Sequence, residues 1–381
     1  MTSGSYELDG DRGPSCFRPG VPRVPSMDDV QDVHEAAWRA VLDFDRMLVA
    51  WPHSGRVGRL FARLDAVHSS GAEGATTTFT DLMEFESSAR VAPDPVDAAS
   101  VASCAAAFDA ETDSFGDPAA MALRIHRRLF ERAGDRMLSA SAGQWKSRRN
   151  GTPDQDAPGH VFYYTKPASV PAAMAEWAAF TMMAEPRVPE LLRQAVSHWM
   201  LEHIHPVSDG NGRIGRLLVP LVLRLKGATT TACAFFGEAV HEDKQLYVEA
   251  LKDGRISGDL TGWTRLMLSL VARTARANIE RIETLRKIEA KWRHATAGFR
   301  RDSAVHPLVE LALTRPAFTV NDAVRDIGGT FASVNGAARR LVDVGILSVP
   351  HDARRGRLFE ATAVLDLFDR FRRPRLSNQN G

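Results

Sequence analysis

His205-Pro206-Val207-Ser208-Asp209-Gly210-Asn211-Gly212-Arg213-Ile214-Gly215-Arg216 packs a histidine, a carboxylate, two loop glycines and two arginines into twelve residues. That mixture suits a polyphosphate site. The turn Asp209-Gly210-Asn211-Gly212 can aim successive backbone N–H groups inward as an anion nest. Behind it Ile214, Leu217, Leu218, Leu221, Val222 and Leu225 recur at helical spacing, so a buried helix starts where the turn ends. Its first turn adds unpaired donors and a positive dipole end, and Gly227 is a plausible stop. Arg213 and Arg216, three apart, share a face and can both reach phosphate oxygens over the nest.

The residues before the turn are equally legible. Leu191, Leu192, Ala195, Val196, Trp199 and Met200 form one apolar stripe ending near Pro206. The loop is therefore clamped between two core helices, which is how a reactive constellation is held rigid.

This stretch resembles the Fic (Fic/Doc) family signature, H-P-F-x-D-G-N-G-R-x-x-R, with Val207 replacing Phe. The resemblance implies transfer of AMP from ATP to a protein hydroxyl. By that resemblance His205 is the base, a task suited to a group titrating near neutral pH. Asp209 holds Mg²⁺, which prefers one carboxylate plus phosphate oxygens. Gly210, Asn211, Gly212 and Arg213 position the phosphates, and Arg216 takes the γ-phosphate. ATP is then the co-substrate and a hydroxyl-bearing protein the target.

Composition is ordinary for a soluble globular protein. At 381 residues the chain has room for two or three domains. Hydrophobic content of 44%, charged content of 25% and a net charge of +1 give no global pull toward nucleic acid or membrane. Cys16, Cys104 and Cys233 are scattered with no C-x-x-C, which suggests neither zinc nor a disulfide framework. With no apolar signal core and no span-length apolar run, the expected location is cytoplasmic.

Residues 1–26, rich in Gly, Pro, Ser, Asp and Arg, predict a disordered tail. Residues 27–100 read as an N-terminal helical segment, 101–294 as the catalytic core, 303–372 as a further domain and 373–381 as a tail. Within the first of these, Asp65-Ala-Val-His-Ser-Ser-Gly-Ala-Glu-Gly74 reads as a helix end with Glu73 on a turn. It is similar to the Fic inhibitory segment, [S/T]-x-x-x-E-[G/N], in Ser69-x-x-x-Glu73-Gly74. That similarity implies that Glu73 pairs with the second arginine of the signature. Ala72 stands where the family has Ile, which implies a looser lock.

Gly143 to Gly151 and His160 to Tyr164 read as two short strands around a polar turn. The family has a β-hairpin flap here that docks its target by β-augmentation. Gly143-Gln-Trp145-Lys146 resembles its opening, G-x-[FW]-R, so Trp145, Lys146 and Val161 are the candidate docking residues. Beyond the signature, Tyr247-Val-Glu-Ala-Leu251 is similar to the family's Y-Y-x-x-L helix beside the adenine. Tyr247 is a candidate to stack on the base, a core tyrosine being the alternative. An expected asparagine is missing, with His241 about where it would lie.

Trp263 to Trp292 predicts a long helix leading out of the core, and Ala295 to Asp302 a linker. Helices at Leu308–Leu313, Val320–Ile327 and Ser333–Val344, then strands at Ile346–Val349 and Arg357–Glu360 around Arg354-Arg355-Gly356, predict a winged helix–turn–helix. Residues 339–375 hold nine arginines against five acidic residues, which could serve DNA phosphates. The helix that would read DNA offers only Asn335, Arg339 and Arg340, so protein contact or a homodimer element is the preferred role. The expected fold is mostly α: a Fic-type helical core with a short β-hairpin flap, plus the C-terminal winged helix. The expected activity is an autoinhibited protein adenylyltransferase. The rivals are a hydrolase removing AMP at the same site and a nucleotide-sensing DNA-binding regulator.

Overall fold

In the computed structural model of the chain, residues 3–10, 13–52, 54–87, 89, 92–153, 159–350 and 357–369 are described. Strands β1 (Gly4–Leu8) and β2 (Ser15–Pro19) precede helices α1 (Met27–Val49), α2 (Ser54–Gly71), α3 (Phe79–Glu86) and α4 (Pro95–Glu111). Then come α5 (Pro118–Phe130), α6 (Arg136–Ser141), β3 (Gly151–Pro153), β4 (Val161–Tyr163) and α7 (Val170–Met182). The central helices are α8 (Glu190–Ile204), α9 (Asn211–Leu225), α10 (Gly237–Glu242), α11 (Lys244–Ser257) and α12 (Thr261–Ala295). The chain closes with α13 (Val305–Thr314), β5 (Ala317–Thr319), α14 (Val320–Ile327), α15 (Phe331–Asp343), β6 (Leu358–Glu360) and α16 (Thr362–Phe368). The fold is mostly α, as the helical stripes predict. Among the described residues no helix is long and apolar enough to cross a membrane.

The chain divides into two compact units that interleave in sequence. Met1–Pro52, His68–Gly74 and Ser103–Ala277 make the first; His53–Val67, Ala75–Ala102 and Asn278–Gly381 make the second. This division cuts across the contiguous boundaries at 100, 294 and 303 that composition suggests. Helices α2, α4 and α12 each run from one unit into the other, so no composition shift marks the change.

The first unit is built around α8. Its residues from Leu191 to Leu201 are buried on every side, and it packs against α7, α9 and β2. A helix surrounded by neighbours buries polar groups as well, and those need partners. Trp177 Nε1 donates to the Ser197 carbonyl at 2.9 Å, and Trp263 Nε1 to that of Ala195 at 2.8 Å. Trp199 Nε1 donates to the Leu251 carbonyl at 3.0 Å. Each indole thus buries a large ring and places its one donor.

The N-terminal stretch expected to be disordered holds two paired strands among its described residues. β1 and β2 pair antiparallel from Gly4 opposite Pro19 to Leu8 opposite Ser15, and β2 runs parallel to β4 at Cys16 and Tyr163. The result is a four-stranded sheet, β1-β2-β4-β3. Phe17 anchors it, 2% exposed and edge-on to His203 at 5.7 Å. Five-residue strands of mixed polarity carry no periodic signal; their stability comes from a partner strand far along the chain.

The flap hairpin is present but shorter than expected. β3 and β4 pair Gly151 with Tyr163, Thr152 with Phe162 and Pro153 with Val161. Residues 143–150 form no strand, and the turn residues 154–158 lie outside the described ones.

In the second unit, β5 and β6 form a two-stranded antiparallel sheet, extended by a bridge between Ser348 and Glu360. The three expected helices are there, and Ile346–Val349 contributes that bridge instead of a full strand. Thr319 and Asp322 make a reciprocal capping box at the start of α14. Phe368 stacks on Phe79 at 5.1 Å and meets Phe61 edge-on at 5.2 Å, while Asp369 accepts from the Thr80 N–H at 3.0 Å. The arginine pair expected at the wing tip, Arg354 and Arg355, and the tail 373–381 lie outside the described residues.

Candidate active site

His205 ends α8 in the left-handed region, with φ 50° and ψ 59°, and no other non-glycine among the described residues has positive φ. For a histidine that conformation costs on the order of 1 kcal/mol and persists only where the surroundings enforce it. The enforcement is visible. The Lys146 N–H donates to the Pro206 carbonyl at 2.9 Å. The Lys146 ammonium reaches Asn150 Oδ1 at 2.5 Å and the Ile204 carbonyl at 3.4 Å. Asn150 Nδ2 in turn donates to the Val207 carbonyl at 2.9 Å. Lys146 is only 4% exposed, and burial pushes its pKa down to about 7.

Lys146 therefore braces the loop from behind, and it does not face a target as expected. Trp145, half-buried, precedes it outside any strand. Val161 on β4 is 45% exposed. Asn150, which the sequence reading passed over, is a fastener of the loop.

The loop also ties itself. Asn211 accepts from the Val207 N–H and donates to the Val207 carbonyl, both at 3.0 Å. Its amide is thus committed to the turn, so it shapes the nest and does not reach into it. Val207 is fully buried, so its replacement of Phe is a packing change. Gly210, at φ 79°, caps α9; a Cβ there would also lie 2.9 Å from the Phe130 ring.

The imidazole of His205 is oriented from two sides. Its Nδ1 lies 3.2 Å from the Glu202 carbonyl. A carbonyl only accepts, so Nδ1 carries the hydrogen and Nε2 keeps its lone pair. The ring lies flat on Tyr164, with centroids 3.9 Å apart and planes at 10°. Burial, helped by the Lys146 charge, pushes its pKa down to about 3, so at neutral pH it is an unprotonated base.

Arg216, 2% exposed in the second turn of α9, is held on three contacts. Its Nε donates to Ser69 Oγ at 2.7 Å, and its Nη2 donates to the Ser69 carbonyl at 2.9 Å and to Glu73 Oε1 at 2.6 Å. Ser69 lies in the last turn of α2 and Glu73 in the turn after it, where the Glu73 N–H bonds the Ser70 carbonyl. Burial alone would raise the Glu73 pKa, but the Arg216 charge and hydrogen bond hold it below the usual carboxylate range. A Cβ on residue 212 would collide with the Glu73 carboxylate, so that carboxylate sits directly over the glycine turn.

Glu73, His205, Gly212, Arg216 and Tyr247 line one cavity of about 540 Å³, with Thr152 and Pro153 of β3 along its rim. Asp209 and Arg213 stand beside this cavity and not in its wall. Asp209 Oδ1 accepts from the Gly210 N–H at 2.6 Å, while Arg213 lies 3.7 Å from Asp209 and over the Phe130 ring at 5.2 Å. Tyr247 is 4% exposed, hydrogen-bonds His198 at 2.6 Å and meets Trp263 edge-on, while still contributing to the cavity wall. His241, in the place of the missing asparagine, pairs instead with His68 at 3.2 Å between the two Nδ1 atoms.

Two further features escaped the sequence. Lys244, Lys252 and Arg255 of α11 add positive charge to the cavity wall. Glu202, on the α8 turn before His205, lines the same cavity, with Oε1 3.7 Å from His198 Nε2. Burial and the nearby Glu73 push its pKa up to about 7 against the opposing Arg216 charge. Nothing in a helix-face pattern distinguishes such an inward glutamate from a surface one.

Residues 118–223 match the family model described as Fic/DOC family. The chain carries a Fic/DOC-family domain. The matched segment holds β3, β4, α8, the loop and most of α9; Ser69, Glu73 and Tyr247 lie outside it. Proteins of this family generally transfer nucleoside monophosphates to proteins. Among solved structures, the chain resembles a Fic family protein from Desulfovibrio desulfuricans G20 at 18% identity. The match covers 90% of this chain and 98% of that one with a TM-score of 0.56, a shared fold. A Fic domain containing signaling protein from Bacteroides thetaiotaomicron VPI-5482 matches at 18% identity, 65% and 97% coverage and a TM-score of 0.49. Fic-1 (residues 134–508) from C. elegans matches at 20% identity, 67% and 74% coverage and a TM-score of 0.48.

Proposed function

We propose that this Fic protein is an adenylyltransferase that moves AMP from ATP to a Ser, Thr or Tyr hydroxyl of a target protein, and that Glu73 holds it inactive. The observation that carries the reading is the Glu73–Arg216 ion pair over the Gly212 turn, beside a histidine whose Nε2 is a free base. Polyphosphate, drawn by the N–H groups at the α9 N-terminus and by Arg216, would need the place that Glu73 now fills.

In the proposed reaction His205 Nε2 takes the proton of the target hydroxyl as its oxygen attacks the α-phosphorus. A new P–O bond forms, the bond to pyrophosphate breaks, and pyrophosphate leaves with that electron pair. The phosphates add negative charge beside the imidazole, which raises its basicity from the depressed value. Asp209 fits a Mg²⁺ that arrives with the nucleotide. Its side chain is 52% exposed and it is a single carboxylate, and no cluster of three His, Cys, Asp or Glu occurs among the described residues. Bound there, Mg²⁺ would neutralise phosphate charge. Val161 and the β3 edge would receive the target backbone.

One observation favours a second reading. The Glu73 carboxylate is 43% exposed and shares the cavity with His205, so it could orient a water that hydrolyses an AMP–protein bond. Incubating the Glu73→Gly protein with α-labelled ATP and Mg²⁺ separates the two. Label retained on the protein or on a lysate protein supports transfer. Absence of label with ATP bound, together with release of AMP from a modified protein by the wild type alone, supports hydrolysis.

A further inference from the structure

The second unit contains a cavity of about 470 Å³ whose wall is dominated by guanidinium groups. Arg56, Arg59 and Arg63 come from α2 at spacings of three and four, one face of the helix. Arg315, just past the end of α13, faces into the same space.

The two carboxylates of the cavity are already engaged. Glu86 binds Arg63, Oε2 to Nε at 2.7 Å, and Asp326 binds Arg315, Oδ2 to Nη1 at 2.8 Å. These ion pairs fix Arg63 and Arg315 in place. Arg315 is further held by the Glu86 carbonyl at 3.2 Å and by Asp322 at 3.4 Å. The guanidinium groups of Arg56 and Arg59 have no hydrogen-bonded or ionic partner among the described residues. Two fixed pairs plus two unspent cations leave the cavity with an excess of two positive charges.

The remaining lining says what kind of anion fits. Met83 and Leu311, 4% and 2% exposed, put apolar surface against the arginines, and Thr314 adds a hydroxyl. The volume lies within the range of small-molecule sites, roughly 300–1,000 Å³. We propose that this cavity binds a small organic phosphate monoester. Its dianionic head would pair with Arg56 and Arg59 in the forked geometry that guanidinium offers phosphate, and its organic part would rest on Met83 and Leu311.

The test is calorimetric titration of the full chain with phenyl phosphate and with inorganic phosphate. Phenyl phosphate should bind once, more tightly than inorganic phosphate. The Arg56→Gln/Arg59→Gln variant should weaken that binding by at least about tenfold, the scale of one lost charge-assisted contact. Both side chains are at least partly exposed, so the variant should fold; an unchanged far-UV spectrum and melting temperature check this. Binding should survive Arg216→Ala, which disables only the phosphate site of the first unit. Equal binding by wild type and the Arg56→Gln/Arg59→Gln variant overturns the proposal, as does loss in Arg216→Ala alone. No preference for phenyl over inorganic phosphate, or no binding up to about 10 mM, roughly the weakest affinity worth calling a site, also overturns it.

Discussion

Glu73 and Arg216 meet at 2.6 Å, the carboxylate oxygen on Nη2, while Ser69 occupies the other side of the same guanidinium. The contact joins the end of α2 to the second turn of α9 and covers the Gly212 backbone. A carboxylate there competes with phosphate for one arginine and repels phosphate as well. Removing it should therefore activate, an unusual sign for deleting a charge in an active site. Glu73→Gly should raise auto-modification by at least about tenfold, roughly 1.4 kcal/mol of barrier. Glu73→Asp should fall between, since its shorter chain reaches Arg216 poorly. Arg216→Ala should not activate, because the phosphate contact goes with the lock. Label incorporation from α-labelled ATP reads all three; a Glu73→Gly protein that binds ATP yet is no faster than wild type refutes the lock.

With Nδ1 on the Glu202 carbonyl, His205 Nε2 keeps the lone pair that the proposed reaction uses. His205→Ala in the Glu73→Gly background should keep ATP affinity within a few-fold and lower transfer by about 10²–10⁴-fold. Undiminished turnover would remove the histidine from the reaction.

Asp209→Ala should abolish transfer and flatten the Mg²⁺ dependence of ATP binding if its exposed carboxylate is the metal donor proposed above. An active variant with the wild-type metal dependence would assign the metal elsewhere.

The Lys146–Asn150 brace makes a prediction about position, separate from chemistry. Asn150→Ala frees the Val207 carbonyl and the buried Lys146 ammonium together, so it should cost about 1–3 kcal/mol of stability. It should also lower kcat more than it raises KM for ATP, since it loosens the His205 backbone while leaving Arg216 in place. Thermal melts and steady-state kinetics test both parts. Unchanged stability and kcat would make the brace incidental.

Acid should unfold the first unit through its histidines. Burial holds His126 at about 4 and His198, His203 and His205 at about 3. Unfolding restores each to about 6.5. Between those values the unfolded state binds more protons, so stability falls as pH drops from 6.5 toward 4. Each such proton is worth about 1.4 kcal/mol per pH unit. Glu202 works the other way: its folded pKa of about 7 exceeds the unfolded value, so its contribution is present below about 4.5 and lost as pH rises to 7. Glu202→Gln should therefore gain stability relative to wild type across that window. Denaturant titrations at pH 4.5, 6 and 7.5 would show the opposite slopes; a flat wild-type profile would contradict the burial of these groups.

By itself the sequence determined the helices that flank the loop and the residue types the loop carries. The stripe from Leu191 to Met200, the turn Asp209 to Gly212 and the stripe from Ile214 to Leu225 each lie within one short window. There periodicity and glycine decide backbone geometry without help. Ser69 and Glu73 were legible only through their similarity to the Fic inhibitory segment, and the expected pairing of Glu73 with Arg216 came from that similarity too. Tertiary structure decided what depends on distant partners. Lys146 reads as a surface cation until Pro206, Ile204 and Asn150 enclose it. Gly4 to Pro19 reads as disordered until β4 supplies the missing strand. Tyr247 reads as an isolated tyrosine until His198 takes its hydroxyl and Trp263 its ring edge at the cavity wall. Glu202 gains its raised pKa only once α8 is buried on all sides. Burial and strand pairing are properties of the assembled chain, because the desolvation and hydrogen bonds that create them come from residues far away in sequence.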